Sequence, residues 1–170
     1  MTAGSHNSPD PDRARILVLG LGNPLLSDDG LGLRLLEAIR QESDFGDGVE
    51  FVDGGTQGLA LLGYLADRDS ILVLDAIALG AAPGTVHVLR YRNADQFQAP
   101  RASTAHEGNA LELFNTARLL GENWSELVVI GIEPKQVATG TELSTEVGNS
   151  LQDAASKAKG LLLELAGAFA

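Results

Sequence analysis

Residues 15–32 read Arg15-Ile-Leu-Val-Leu-Gly-Leu-Gly-Asn-Pro-Leu-Leu-Ser-Asp-Asp-Gly-Leu-Gly32. Ile16-Leu-Val-Leu19 is a continuous apolar run of strand length, ended by Gly20, Gly22, Asn23 and Pro24. An amphipathic helical pattern starts after Ser27-Asp28-Asp29. A strand buried on both faces, a tight loop and a helix are the opening unit of a parallel α/β sheet. Ligands of open sheets of this kind sit beyond the carboxyl ends of the strands. Asp28 and Asp29 fall there. In the helix, Gly32, Leu35, Leu36 and Ile39 form an inward stripe, while Arg34, Glu37 and Gln41 mark the wet face. Ser27 or Asp28 is placed to cap the first turn. The glycines do not make a dinucleotide site: Gly20 and Gly22 supply two positions of that fingerprint, but the third falls on Leu25. Two carboxylates would also repel a pyrophosphate at the helix N-terminus.

Further along, residues 49–52 read as a short second strand closed by Asp53-Gly-Gly-Thr, and residues 57–66 as a small apolar helix with Leu59, Leu62 and Ala66 inside. Asp67-Arg-Asp-Ser is a polar turn before a second fully buried strand, Ile71-Leu-Val-Leu, which ends at Asp75. Residues 85–91 alternate loosely and fit a strand near a sheet edge. Thr104 and Glu107 match a capping box. Ala110, Leu113, Phe114 and Ala117 line the helix that follows, which stops at Gly121. Residues 127–132 form a further buried strand ended by Pro134. A long helix from about Ser144 has Val147, Leu151, Ala154, Ala158, Leu161 and Leu165 on its buried side. Strands alternating with helices predict a three-layer α/β/α sandwich on a mostly parallel sheet.

The 170 residues suit one domain, with residues 1–14 as a disordered polar leader and residues 15–170 as the folded unit. The leader holds no hydrophobic stretch for a secretory signal. With 12 Lys and Arg against 23 Asp and Glu, the formal charge is −11, which disfavours nucleic acid and anionic membrane as partners. No apolar run reaches the length of a membrane span. The chain has no cysteine, so thiolate ligands and thiol nucleophiles are excluded, and a reducing compartment fits. A soluble cytoplasmic protein is the expectation.

Few places remain for polar chemistry. Asp28 and Asp29 follow the first strand, Asp53 ends the second and Asp75 the third. If those strands are parallel, all face one crevice. Capping and dipole compensation account for Asp28 and Asp29 equally well, and a turn accounts for Asp53. Asp75, between four apolar residues and Ala-Ile-Ala-Leu, is poorly solvated and wants a metal, a cation or several hydrogen bonds. Of the histidines, His6 lies in the leader, His87 in the edge strand reads as a surface residue, and His106 is in the first turn of a capped helix. Asp29, Asp75 and His106 together would make a two-carboxylate, one-imidazole site suited to a borderline divalent metal such as nickel, zinc or manganese, with positions open for substrate or water.

The opening motif, followed in order by Val52-Asp-Gly-Gly-Thr56, Leu74-Asp-Ala-Ile77, Pro83-Gly-Thr85, the His106 segment, Gly131-Ile-Glu-Pro134 and Leu143-Ser-Thr-Glu-Val147, resembles the [NiFe]-hydrogenase maturation endopeptidases from Arg15 onward. The resemblance implies a doubly wound α/β/α fold around a twisted five-stranded sheet. It implies removal of a C-terminal extension from a hydrogenase large-subunit precursor after nickel insertion. It also places the metal-binding acids and histidine on Asp29, Asp75 and His106, choosing Asp29 over Asp28. The family's first acid is commonly Glu, so the shorter Asp29 must approach the metal more closely. The nickel would arrive transiently in the substrate. Either the metal only positions the peptide bond, or Asp29 or Asp75 also activates water as a general base. Two other readings compete: a maturation factor that binds metal or precursor without cutting, and a small zinc hydrolase.

Overall fold

The computed structural model describes residues 13–42, 45–92 and 107–167. Ile16–Leu21 forms β1, and all six residues are buried. A strand apolar on both faces belongs in the middle of a covered sheet. β1 accordingly has parallel neighbours on both sides, β2 (Val49–Gly55) and β3 (Ser70–Ala76). β3 pairs in parallel with β5 (Glu126–Ile132), and β4 (Val86–Tyr91) closes the far edge antiparallel to β5. The five-stranded order is β2-β1-β3-β5-β4. The chain therefore winds outward from β1 in both directions, and the predicted mostly parallel, doubly wound sheet is the observed one.

Strand alternation divides the core into two layers. Ile16, Val18, Leu72, Leu74, Val128 and Ile130 pack beneath α1 (Leu31–Glu42) and α4 (Thr145–Gly167). Leu17, Leu19, Ile71, Val73, Leu127 and Val129 face the short α2 (Leu62–Leu65) and α3 (Glu107–Leu119) on the other side. There Phe114 and Trp124 meet edge to face with ring centroids 5.7 Å apart, and the Trp124 indole N–H donates to the Leu65 carbonyl at 3.1 Å. A T-shaped pair with its polar handle satisfied is a stable core arrangement for an indole. α3 ends as expected: the N–H groups of Gly121 and Glu122 turn back onto the carbonyls of Arg118 (2.9 Å) and Ala117 (3.0 Å). No helix among the described residues is long and apolar enough to cross a membrane.

Several local expectations are corrected. β2 runs through Gly55 rather than stopping at Val52, because Gly55 and Leu21 continue the parallel register past a bulge. Residues 58–61 form a 3₁₀ turn followed by the single turn of α2, and the buried positions are Leu61 and Leu65, not Leu59, Leu62 and Ala66. The change of helix type shifts which side meets the sheet. On α4, Ala155 and Leu162 are fully buried while Leu151 and Leu161 are half-buried at the margin. The polar turn at 67–70 hides Arg68. Its guanidinium donates to the carbonyls of Ala14 (2.5 Å) and Tyr64 (2.9 Å) and pairs with Glu50. Residues 1–12 of the expected leader, and Thr104 of the expected capping box, lie outside the described residues.

The start of α1 sits directly on the carboxyl ends of β1 and β3. A Cβ added to Gly32 would stand 2.2 Å from the Leu21 carbonyl oxygen and 2.3 Å from that of Leu74. Both obstacles are backbone, so Gly32→Ala has to lift the helix off the sheet. The expected cost is about 3 kcal/mol, the upper end for overpacking. This is read as a melting temperature lower by about 6–12 °C in a chain of this size. An unchanged melting temperature would show that the helix seat is looser than this contact implies.

Candidate active site

β1, β2, β3 and β5 are parallel, so their carboxyl ends share one edge of the sheet. The winding direction reverses between β1 and β3, and this is the position where a doubly wound sheet opens a crevice. Asp29 follows β1 and Asp75 is the penultimate residue of β3, so the two flank the reversal. Asp53, on β2, is exposed beside them.

Asp29 belongs to a 3₁₀ turn, Ser27–Gly30, that leads into α1 and packs against β3. It is fully buried, and its Oδ2 accepts the Asn23 N–H at 2.9 Å. Gly22 makes this approach possible: its φ is +121°, and a Cβ there would lie 1.9 Å from the Asp29 carbonyl oxygen. Gly22 N–H also donates to the Gly55 carbonyl at 3.0 Å, tying the loop to the end of β2. Asp75 is half-buried, with Oδ1 accepting the Ala76 N–H at 2.8 Å. A small cavity opens beside it, lined by Leu21, Gly55, Thr56, Leu61 and Leu113. Its walls are apolar apart from Asp75 and Thr56, so a polar group entering it finds a carboxylate and little water.

Neither Ser27 nor Asp28 caps the first turn, contrary to the expectation from local spacing. No side chain caps this turn. Ser27 instead takes left-handed backbone at φ 51°, unusual for a residue with a Cβ. The conformation is held from outside: Ser27 N–H donates to the Gly140 carbonyl and Ser27 Oγ to the Ala138 carbonyl, both at 2.8 Å. Strain of this kind persists where the surroundings over-determine the backbone, as these two hydrogen bonds do here.

Asp28 is fully buried, and its side chain bonds to a distant segment rather than to its own loop. Its Oδ2 accepts from Lys135 N–H (2.9 Å), Gln136 N–H (3.1 Å) and Ser144 Oγ (2.8 Å), and its Oδ1 from Ser144 N–H (2.7 Å). Burial pushes this carboxyl upward, but the hydrogen bonds from Ser144, Gln136 and Lys135 outweigh it and hold the acid below the ordinary aspartate range. Asp28 is thus the fastener of the 135–144 segment and of the start of α4. Glu133, one residue past β5, is a third buried acid. It accepts from the N–H groups of Leu79 (2.9 Å) and Gly80 (3.0 Å), and His87 Nε2 donates to it at 2.8 Å. His87 is therefore no surface residue; its side chain is 14% exposed. The clue to Glu133 was in the sequence: like Asp75, it follows an apolar strand with no room for a solvated charge. Asp28 gave no such clue, since all its partners lie more than a hundred residues away.

His106, the third expected ligand, lies outside the described residues. Among the described residues, no three His, Cys, Asp or Glu side chains gather in a metal-holding group. Asp29 and Asp75 would offer hard oxygen donors, and an imidazole beside them would make a set suited to a borderline divalent ion.

Comparison with known proteins gives a consistent result. The profile of the hydrogenase maturation protease family matches residues 33–160. The hydrogenase 2 maturation protease of Escherichia coli (strain K12) is 34% identical over 151 residues, which cover 88% of this chain and 92% of that one. The hydrogenase expression/formation protein HupM of Azotobacter chroococcum mcd 1 is 33% identical over 150 residues, covering 88% of this chain and 72% of that one. Three further curated relatives are longer, and the chain spans 59–62% of their length. The solved structure of the hydrogenase maturating endopeptidase HybD from E. coli superposes with a TM-score of 0.80 at 34% identity, over 88% of this chain and 93% of that one.

Proposed function

The chain belongs to the hydrogenase maturation protease family, a family of peptidases, and we propose that it removes the C-terminal extension of a [NiFe]-hydrogenase large-subunit precursor once nickel has been inserted. The observation that carries this reading is the placement of Asp29 and Asp75 on either side of the strand reversal between β1 and β3. In the proposed reaction both carboxylates, with His106, engage the nickel carried by the precursor. The metal belongs to the substrate, so recognition depends on its presence and the peptidase does not retain it. The engaged carboxylates align the adjacent peptide bond at the crevice. Asp29 or Asp75 takes a proton from water as general base. The resulting hydroxide oxygen adds to the carbonyl carbon, the C–N bond breaks, and the proton passes to the leaving amine.

The test uses a matched large-subunit precursor, nickel-loaded in one sample and metal-free in the other, with intact mass followed over time. The expected outcome is loss of a C-terminal fragment from the loaded precursor only. Equal cleavage of both would leave the peptidase and remove the nickel requirement. Binding without cleavage of the loaded precursor would favour a non-cutting maturation factor.

A further inference from the structure

Glu133 does work that the proposed cleavage chemistry leaves unexplained. Between Asp75 and β4 the chain makes a connection whose polar backbone is gathered by this one residue. Glu133 Oε2 accepts the Leu79 N–H at 2.9 Å and Oε1 the Gly80 N–H at 3.0 Å, and the Ala81 N–H is a further donor to the carboxylate. The Glu133 backbone adds two bonds, its N–H to the Thr85 carbonyl (2.8 Å) and its carbonyl from the Gly84 N–H (2.9 Å). One step earlier, Ile77 N–H donates to the Ile132 carbonyl at 3.2 Å. His87, from the edge strand, supports the carboxylate from behind. Burial raises the Glu133 acid, and the donors from Leu79, His87, Gly80 and Ala81 more than compensate, so it stays below the ordinary glutamate range.

The segment so held is exposed. Leu79 is 41% exposed, and Gly80, Ala81, Ala82 and Pro83 also face solvent. It begins four residues after Asp75, on the carboxyl edge that carries the candidate active site. Without this carboxylate the loop amides could return to water, so what the buried charge adds beyond its share of stability is one fixed shape for an exposed apolar loop. It makes sense if the loop must keep one shape for something outside. We propose that Glu133, supported by His87, is a positioning residue for precursor cleavage: it holds the 79–81 backbone as a rigid rim on which the precursor's peptide docks beside Asp75. This inference rests on the function proposed above.

The test compares wild type, Glu133→Ala and Glu133→Gln by amide hydrogen exchange and by steady-state cleavage of the nickel-loaded precursor. In Glu133→Ala, exchange should accelerate at residues 79–81 while the central strands stay protected. KM should rise about tenfold with kcat within about twofold, as expected when a docking surface loses its preset shape and the reacting groups do not. Glu133→Gln keeps one carbonyl oxygen for the loop amides and should recover part of the loss. A lesion that merely unfolded a fraction of the enzyme would lower apparent kcat at unchanged KM, and that result overturns the inference. So does accelerated exchange at 79–81 with wild-type kcat and KM. Failure of the wild type itself on the matched, loaded precursor would overturn the function reading and this inference with it. A deficit confined to the variants separates the two cases.

Discussion

Asp75→Asn is expected to leave the nickel-loaded precursor essentially uncut, with single-turnover cleavage slowed by about 10²–10⁴, the range for losing a positioned general base. The substitution is nearly isosteric. The amide oxygen can still accept the Ala76 N–H now 2.8 Å from Oδ1, and the residue is only half-buried. Its backbone stays in register with Gly131 on β5, so the sheet does not change. The melting temperature should therefore stay within about 2 °C of wild type, within what a near-neutral substitution allows. What disappears is the negative charge at the strand reversal, which in the proposed reaction engages the precursor's nickel and, where Asp75 rather than Asp29 is the base, takes the proton from water. Single-turnover mass spectrometry of the loaded precursor, alongside a thermal melt, checks both halves. Cleavage by Asp75→Asn at the wild-type rate would remove Asp75 from the proposed chemistry and leave Asp29 to carry it.

Asp28→Ala is expected to act in the opposite way, on stability first. One buried carboxylate accepts four hydrogen bonds there, from Lys135, Gln136 and twice from Ser144. Truncation leaves the Ser144 N–H without its acceptor at the entrance to α4. It also removes a negative charge from the N-terminal end of a 23-residue helix. The Lys135 and Gln136 amides sit on exposed residues and regain water at lower cost. Bonds to a charged acceptor contribute about 1.5–3 kcal/mol each when lost without compensation. With two of the four donors resolvated, the expected loss is about 4 kcal/mol. In a chain of this length that lowers the melting temperature by roughly 8–16 °C. Asp28→Asn should rescue it only in part, because whichever way the amide turns its NH₂ faces at least one of the four donors and the charge is gone.

The same residue sets an acid response. Its carboxyl is lowered in the folded chain, so its contribution is complete above the unfolded aspartate pKa of about 4 and drains away as pH falls below that, through the lower folded value. Glu133 is lowered too and adds in the same direction. Urea unfolding at neutral pH and near pH 3 should show a narrower gap in stability for Asp28→Ala than for wild type. An equal gap would show that Asp28 has no part in the acid response.

Much of the fold was legible because apolar runs carry their own instructions. Ile16-Leu-Val-Leu19 and Ile71-Leu-Val-Leu74 can satisfy burial on both faces only inside a helix-covered parallel sheet, and they lie there. Where periodicity was short the reading slipped. A few residues at 58–65 do not distinguish a 3₁₀ turn from an α-turn, and each buries a different side. Local spacing likewise suggested that Ser27 or Asp28 would cap a helix, since capping needs only a polar residue before a helical pattern. The segment 135–144 competed for both side chains and took them.

By itself, then, the sequence determined which segments are strands, that the strands run mostly parallel, and that Asp29 and Asp75 end on one edge, since each follows an apolar strand in a parallel sheet. The tertiary structure alone decided what the other acids do. Asp28 and Asp29 are neighbours of identical chemistry, and nothing within a few residues tells them apart. One is turned toward Asn23 in its own loop, and the other toward partners over a hundred residues away. Glu133 and His87, 46 residues apart, meet because β4 returns antiparallel along β5. A hydrogen bond forms between groups that the fold brings within about 3 Å, and for such long-range pairs that proximity is set by the packing of the whole sheet.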